Sequence, residues 1–276
     1  MTAQSRHQLP GTVALVGCGP GDPELLTLKA LRRVAEADVL VVDRLVPPAI
    51  VALARKDARI IDAGKEPEST SVAQGEINRV LVREALLGNR VARLKGGDGF
   101  IFGRAAEEMA AVRAVGIVVE VVPGITAAHA CAASVGLPLT LRQSVRQFSV
   151  LTGATADGEI ELDWQALARP GQAFAIYMGV RTAAHIEERL LSAGADPVTP
   201  VVIVENGTRA NERAVSTTLG QLAGALRVKG LKGPAIIFVG LSWEQASLTM
   251  PAKVEVLDAG DRVVKETRPG FPSSHA

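Results

Sequence analysis

The sequence predicts an α/β protein, on three observations. Short apolar runs rich in β-branched residues alternate with longer stretches of helical spacing. The apolar runs end repeatedly in glycine or proline turns. A chain of 276 residues implies about two domains and can bury a large core without disulfides or metals.

Thr12 to Val16 reads as the first strand. Glu24 to Glu36 follows as a helix, with Leu25, Leu28, Ala30 and Leu31 near helical spacing. Val39 to Val42 is a buried strand, and Pro47 and Pro48 suit the first turn of the next helix. Arg59 to Asp62 is a short strand, and Gln74 to Leu87 a helix stopped by Gly88 and Asn89. Arg90 to Leu94 is a strand ending in a glycine pair. Arg104 to Val115 is a helix closed by Gly116, and Ile117 to Val122 is a strand ending at Pro123 and Gly124.

The second half repeats the alternation more loosely. Helices are expected at Thr126 to Val135, Thr182 to Ala193 and Leu219 to Val228. Strands are expected at Gln147 to Thr152, Ala173 to Met178, Val201 to Val204 and Ala235 to Val239. The pattern implies largely parallel sheets. The Pro-Gly break sets the expected boundary. An N-terminal α/β domain covers 1–122 with a mobile start at 1–11, and a C-terminal α/β domain covers 123–245. A polar tail, 246–276, is expected to be mobile.

Composition narrows the function. Apolar residues make up 47% and charged residues 21%, which excludes a disordered chain. The net charge is +1, so no basic excess points to nucleic acid or an acidic membrane surface. Aromatics at 3% argue against a base-stacking platform. Cys18 and Cys131 are far apart, and the histidines lack ligand spacing, so neither a disulfide framework nor a metal site is expected. No apolar leader and no apolar run of about 18 residues is visible. A cytoplasmic protein is expected.

Three glycine-rich segments leave the carboxyl ends of strands, where α/β sheets bind ligands. The first is Gly17-Cys18-Gly19-Pro20-Gly21-Asp22-Pro23. It is not a dinucleotide fingerprint: Asp22 takes the place of the third glycine, and Pro20 and Pro23 remove N–H donors that a pyrophosphate needs. The second runs from Arg93 through Gly96-Gly97-Asp98 to Arg104. Asp98 suits either contact with a cationic ligand or the capping of its own turn. The third is Pro123-Gly124-Ile125-Thr126-Ala127, where Thr126 also suits a plain helix cap. Asp43 and Arg44 follow the second strand and Lys65 the third. Asp43 reads either as a partly buried base or as a loop carboxylate paired with Arg44.

Taken together, the segments 15–30, 37–46, 93–104 and 120–128 resemble the uroporphyrinogen-III C-methyltransferases of the tetrapyrrole methylase superfamily. GLPLT (136–140), LTG (151–153), IYMG (176–179) and ENGT (205–208) add to the likeness, which covers about residues 12–240. The resemblance implies two α/β domains with the active site in the cleft between them, usually as a homodimer. It implies transfer of methyl groups from S-adenosyl-L-methionine to C2 and C7 of uroporphyrinogen III. The products are precorrin-2, the branch point toward sirohaem, cobalamin and haem d1, and S-adenosyl-L-homocysteine. By the same resemblance the methyl donor contacts Pro20, Gly96, Gly97, Asp98, Ile101, Thr126, Ala127, Met178 and Gly207. Asp43 aligns with the proton acceptor and Lys65 with the proton donor. Arg104 and Glu107 face the tetrapyrrole, with Arg44 and Arg142 as further candidates. Arginine forks suit a substrate with eight carboxylates, and no metal is required.

The chain departs from the family pattern at Glu66, Thr70, Ala73, Gly99 and Leu141. Two of these changes lose basic or hydrogen-bonding groups near the expected tetrapyrrole side, whereas the donor-site residues are intact. A methylase of a later precorrin or another tetrapyrrole is therefore one alternative. A non-catalytic protein binding the donor or a tetrapyrrole is another. The methylase pattern begins at Thr12, so a fused sirohaem-synthase module is not expected.

Overall fold

The computed structural model describes residues 10–63, 70–154 and 161–257, and of residues 70–73 the backbone alone. The chain divides into two compact units, Met1–Ser134 with Asn206–Glu212, and Val135–Glu205 with Arg213–Ala276.

The first unit holds β1 (Thr12–Gly17), α1 (Leu28–Glu36), β2 (Val39–Val42), α2 (Pro48–Val51), β3 (Arg59–Asp62), α3 (Thr70–Leu86), β4 (Arg90–Lys95), α4 (Ala105–Arg113), β5 (Val119–Val122) and α5 (Ala127–Ser134). Its five strands form a sheet in the order β3-β2-β4-β1-β5, every neighbouring pair parallel. Alternation along the strands fills two cores. Ala14, Val16, Leu40 and Leu94 pack with Ala30 and Val34 of α1 and Ile50 of α2. Val13, Leu15, Val39 and Val41 pack with Leu81 of α3 and Val112 of α4 on the other face. Both faces are thus covered, as a parallel sheet requires.

The first helix is shorter than its sequence pattern. A single 3-10 turn spans Pro23–Leu25, and α1 starts only at Leu28. The cause is local: Thr27 is the N-cap, its Oγ1 accepting the N–H of Ala30 at 3.1 Å.

The second unit holds β6 (Ser149–Thr152), α6 (Trp164–Leu167), β7 (Phe174–Tyr177), α7 (Ala183–Ser192), β8 (Pro200–Glu205), β9 (Arg213–Thr218), α8 (Leu222–Val228), β10 (Ala235–Val239) and β11 (Val254–Val256). Its sheet runs β11-β9-β8-β10-β7-β6 and is mixed, not largely parallel. Only β6–β7 and β9–β11 pair in parallel; β10 is antiparallel to β7 and β8, and β8 to β9. The sequence reading lacks α6, β9 and β11; of these β9, Arg-Ala-Val-Ser-Thr-Thr, has little apolar signal but many β-branched residues. One face of the sheet buries Phe174, Ile176, Ile203 and Ile237 against Ile186 and Leu190 of α7 and Leu222 and Ala225 of α8.

The units part between Ser134 and Val135, whereas the sequence boundary lies at 122/123. Helix α5 makes the difference: backbone contacts after β5, described below, hold the Pro123-Gly124 segment on the first sheet. The expected tail also begins in ordered structure, since Val254–Val256 forms the edge strand β11 with Val254 and Leu257 buried. Among the described residues no helix is long and apolar enough to cross a membrane.

Candidate functional site

The loops after β1, β4 and β5 leave neighbouring strands at the carboxyl edge of the first sheet and meet backbone to backbone. Gly19 and Gly97 exchange hydrogen bonds, Gly97 N–H to Gly19 O at 2.7 Å and Gly19 N–H to Gly97 O at 3.1 Å. A Cβ on Gly17 would lie 2.5 Å from Gly124 N, and one on Gly124 would strike the Gly97 carbonyl. No side chain fits at Gly17 or Gly124, which explains those two glycines. Gly97 needs its left-handed φ of 66°. Gly96 abuts the loop after β2, where a Cβ would come within 2.8 Å of Leu45 Cβ.

Asp98 fastens two of these loops. Its Oδ1 accepts the Phe100 N–H at 2.8 Å and its Oδ2 the Gly124 N–H at 2.9 Å. Of the two roles open to it, the carboxylate visibly performs the turn-capping one. Beyond it the loop exposes Phe100, Ile101 and Phe102, an apolar surface beside the glycines.

Asp43 ends β2 one-third exposed, its Oδ1 accepting the Leu45 N–H at 3.0 Å. Its ion-pair partner is Arg93, whose Nη2 lies 3.3 Å from Oδ2, in place of the adjacent Arg44. Arg93 is 2% exposed in its side chain and reaches Asp43 from below, on β4. Its Nε donates to Glu108 at 3.0 Å, and Lys95 donates to both Glu108 oxygens at 3.0 and 2.9 Å. Gln74 reaches the same carboxylate at 3.4 Å. Arg93, Lys95 and Glu108 sum to one positive charge, which the Asp43 carboxylate balances. Burial, and next the Arg93 charge, pull the Lys95 pKa below its usual value. This ionic cluster is the feature that sequence reasoning missed. Its available signal was two cations, Arg93 and Lys95, set among the apolar residues Val91, Ala92 and Leu94 of one strand.

Arg104 and Glu107 close on each other. The guanidinium donates Nε to Oε1 at 2.8 Å and Nη2 to Oε2 at 2.7 Å, and the fork holds the Glu107 carboxyl below its usual range. Arg104 has a left-handed φ of 55°. Phe102, Met178, Asn206 and Thr208 share that uncommon conformation, which costs energy in non-glycine residues and gathers at functional sites. These five stand in or beside the segments that the sequence singles out, whereas a sixth residue with this conformation, Ser247, does not.

Residues 206–212, between β8 and β9, belong to the first unit. Thr208 Oγ1 accepts the Asp22 N–H at 3.2 Å, and Arg209 donates to the carbonyls of Leu45 and Pro20 at 2.7 and 3.4 Å. Gly207 packs against Cys131 Sγ of α5 so closely that a Cβ would overlap it. Burial pushes the thiols of Cys131 and Cys18 up to about 12, so neither is a nucleophile.

Pro20, Gly96, Gly97, Asp98, Ile101, Thr126, Ala127 and Gly207 therefore all lie in the first unit, as do Asp43, Arg44, Arg104 and Glu107. Met178 and Arg142 lie in the second unit, both exposed. Lys65 and Glu66 lie outside the described residues, as do the side chains of Thr70 and Ala73. Leu141 pairs with Val145 in a short bridge. Gly99 is buried, and a Cβ there would lie 3.2 Å from Lys95 Cδ. A hollow of about 530 Å³ lined by Thr12, Arg33, Arg90 and Glu120 lies at the opposite, amino edge of the sheet. Its charges are already neutralised by one another and by Asp38, and it carries none of the segments above.

The chain matches the family model described as Tetrapyrrole (Corrin/Porphyrin) Methylases over residues 12–223. It is 47% identical over 241 residues to a siroheme synthase of Methylococcus capsulatus, covering 86% of this chain and 51% of that protein. It is 50% identical to the siroheme synthase of Edwardsiella ictaluri, covering 83% and 49%. The chain thus spans about half the length of the curated relatives it matches. Among solved structures, the uroporphyrin-III C-methyl transferase from Thermus thermophilus, complexed with S-adenyl homocysteine, superposes with a TM-score of 0.70. The two are 39% identical, and the match covers 83% of this chain and 92% of that one. A cobalt precorrin-4 methyltransferase matches with a TM-score of 0.75 at 26% identity, covering 85% and 95%.

Proposed function

This chain belongs to the tetrapyrrole (corrin/porphyrin) methylase family, and from that premise we propose that it is an S-adenosylmethionine-dependent uroporphyrinogen-III C-methyltransferase. It methylates C2 and C7 and releases precorrin-2 and S-adenosylhomocysteine. The observation that carries the reading is the likeness to the Thermus thermophilus protein, which holds S-adenyl homocysteine, along nearly all of that chain. A later precorrin methylase and a non-catalytic binder are not favoured.

The residues present suit the donor. Gly17 and Gly124 admit no Cβ, so the three glycine loops close on one another as a backbone surface, and Ile101 exposes apolar surface beside it. Pro20, Gly96, Gly97, Asp98, Ile101, Thr126, Ala127, Met178 and Gly207 are the residues proposed to hold the donor. S-adenosylmethionine, when bound, supplies an electrophilic methyl group on a sulfonium.

What remains for the protein is alignment and one proton per methyl transferred. Asp43 accepts that proton at its partly exposed carboxylate. The Leu45 N–H and Arg93 fix its orientation, so no rotamer search precedes the step. Lys65 is proposed as the proton donor by its place in the family pattern. Arg44, Arg104, Glu107 and Arg142 meet the substrate's polar arms. The chain acts as a cytoplasmic homodimer, its oligomeric state open to light scattering.

The test is anaerobic incubation with uroporphyrinogen III and S-adenosylmethionine, followed by mass analysis of the tetrapyrrole. A gain of two methyl groups is expected. Donor binding without any gain would overturn the reading.

A further inference from the structure

Arg209 differs from Arg93 and Arg104, the two paired arginines at the carboxyl edge of the first sheet, and from Arg44, which is exposed. Arg104 is closed on Glu107, and Arg93 on Glu108 and Asp43. Among the described residues no carboxylate pairs with Arg209. Its Nε donates to the Pro20 carbonyl at 3.4 Å and its Nη2 to the Leu45 carbonyl at 2.7 Å. A guanidinium carries five N–H groups in a planar fork, so three remain. The stem packs over Gly21, where a Cβ would lie 2.6 Å from Arg209 Cγ, and this fixes the head group. Burial lowers the pKa of the guanidinium, and no carboxylate offsets that cost. Leu45 is two residues beyond Asp43, and Pro20 stands in the loop after β1. A half-buried, pre-oriented cation among these loops is complementary to an anion that arrives with a ligand.

We infer that Arg209 is a carboxylate-binding residue of the site, its uncommitted N–H edge taking a carboxylate of a bound ligand. The inference rests on the proposed function, which supplies two sources of that group. One is an acetate or propionate arm of the tetrapyrrole, and the other is the amino-acid carboxylate of the methyl donor.

The test compares the wild-type chain with Arg209→Met, which keeps the apolar stem over Gly21, and Arg209→Lys, which keeps the charge. Each is titrated with uroporphyrin III, with S-adenosylhomocysteine and with 5′-methylthioadenosine, which keeps the adenosine thioether but lacks the carboxylate. Arg209→Met is expected to weaken at least one of the two carboxylate ligands about tenfold and to flatten its dependence on ionic strength. Arg209→Lys recovers part of the loss, and 5′-methylthioadenosine binds as before. The ligand that loses affinity identifies the source. Unchanged affinity for both carboxylate ligands overturns the inference, and so does an equal loss for all three, which would make Arg209 a clasp alone. Should Arg209→Met fold poorly, Arg209→Gln serves in the same titrations. A wild-type chain that binds none of the ligands removes the functional reading, and this inference with it. A wild-type chain that binds, beside variants that lose nothing, removes this inference alone.

Discussion

The carboxylate of Asp98 accepts the backbone N–H of Gly124 at 2.9 Å, joining the loop after β4 to the loop after β5. With its other oxygen on Phe100 N–H, the side chain braces the surface on which the methyl donor is proposed to lie. Asp98 therefore shapes the donor site whether or not it touches the donor.

Asp98→Asn replaces one acceptor by a donor that faces a backbone N–H. An unsatisfied, partly buried pair of this kind costs about 1–3 kcal/mol. Affinity for S-adenosylhomocysteine should fall at least tenfold, with a modest loss of thermal stability. Calorimetry and a melting curve check both, and an unchanged affinity would sink the bracing role.

Glu108 is fully buried and neutralises two buried cations, Arg93 and Lys95. Glu108→Gln removes the only carboxylate bonded to Lys95 among the described residues and leaves Arg93 with Asp43 alone. Removing one partner of a buried ionic cluster costs about 3–5 kcal/mol. Urea unfolding should show a loss of that order. Glu107→Gln breaks only an exposed pair, worth about 1 kcal/mol or less, and should barely move the curve.

Gly207 leaves no room for a methyl group because Cys131 Sγ occupies it. Gly207→Ala should weaken donor binding and stability together. Cys131→Ala empties that space, so the double variant should recover most of both losses. A double-mutant cycle measures the coupling, and strictly additive losses would refute the steric account.

The sheet of the first unit was legible because buried strands such as β1 and β2 read as apolar runs, and α3 and α4 are closed by Gly88 and Gly116. The glycine segments were legible as loops at strand ends, but which loops touch was not. The partner of Asp43 shows why: Arg93 is 50 residues away in sequence and comes within reach only because β4 lies beside β2. Strand β9 escaped notice for a different reason. Its pairing with β8 rests on Thr, Ser and Val, whose β preference is weak until a partner strand is present.

At the amino edge of the same sheet, Asp38 accepts hydrogen bonds from the Arg90 backbone and side chain at 2.8–3.0 Å and from Arg55 at 2.8 Å. The Arg90 bonds chiefly hold its carboxyl down at about 2, against an ordinary 3.8. A depressed carboxylate pKa adds stability that is complete above the ordinary value and disappears as pH falls through the lowered one. Asp38→Asn should cost about 1–2 kcal/mol at pH 7 after allowance for solvent screening. The gap between variant and wild type should close between about pH 4 and pH 2. Denaturant midpoints across that range test it, and a gap that persists at pH 2 would rule out the ionic explanation.

The first unit is not contiguous in the chain: Asn206–Glu212, with Gly207 and Arg209, reaches it only after β8 has been made. On the ribosome the parallel sheet can close as soon as β5 and α5 emerge, yet its ligand loops wait some 70 residues for their last segment. A product ending near Ser134 would contain every strand of the first sheet but lack Asn206–Glu212, the last segment of the proposed site. The segment that completes the site is also the one whose synthesis commits the second sheet to its β8–β9 hairpin, so competence to bind arrives with the second unit and not before.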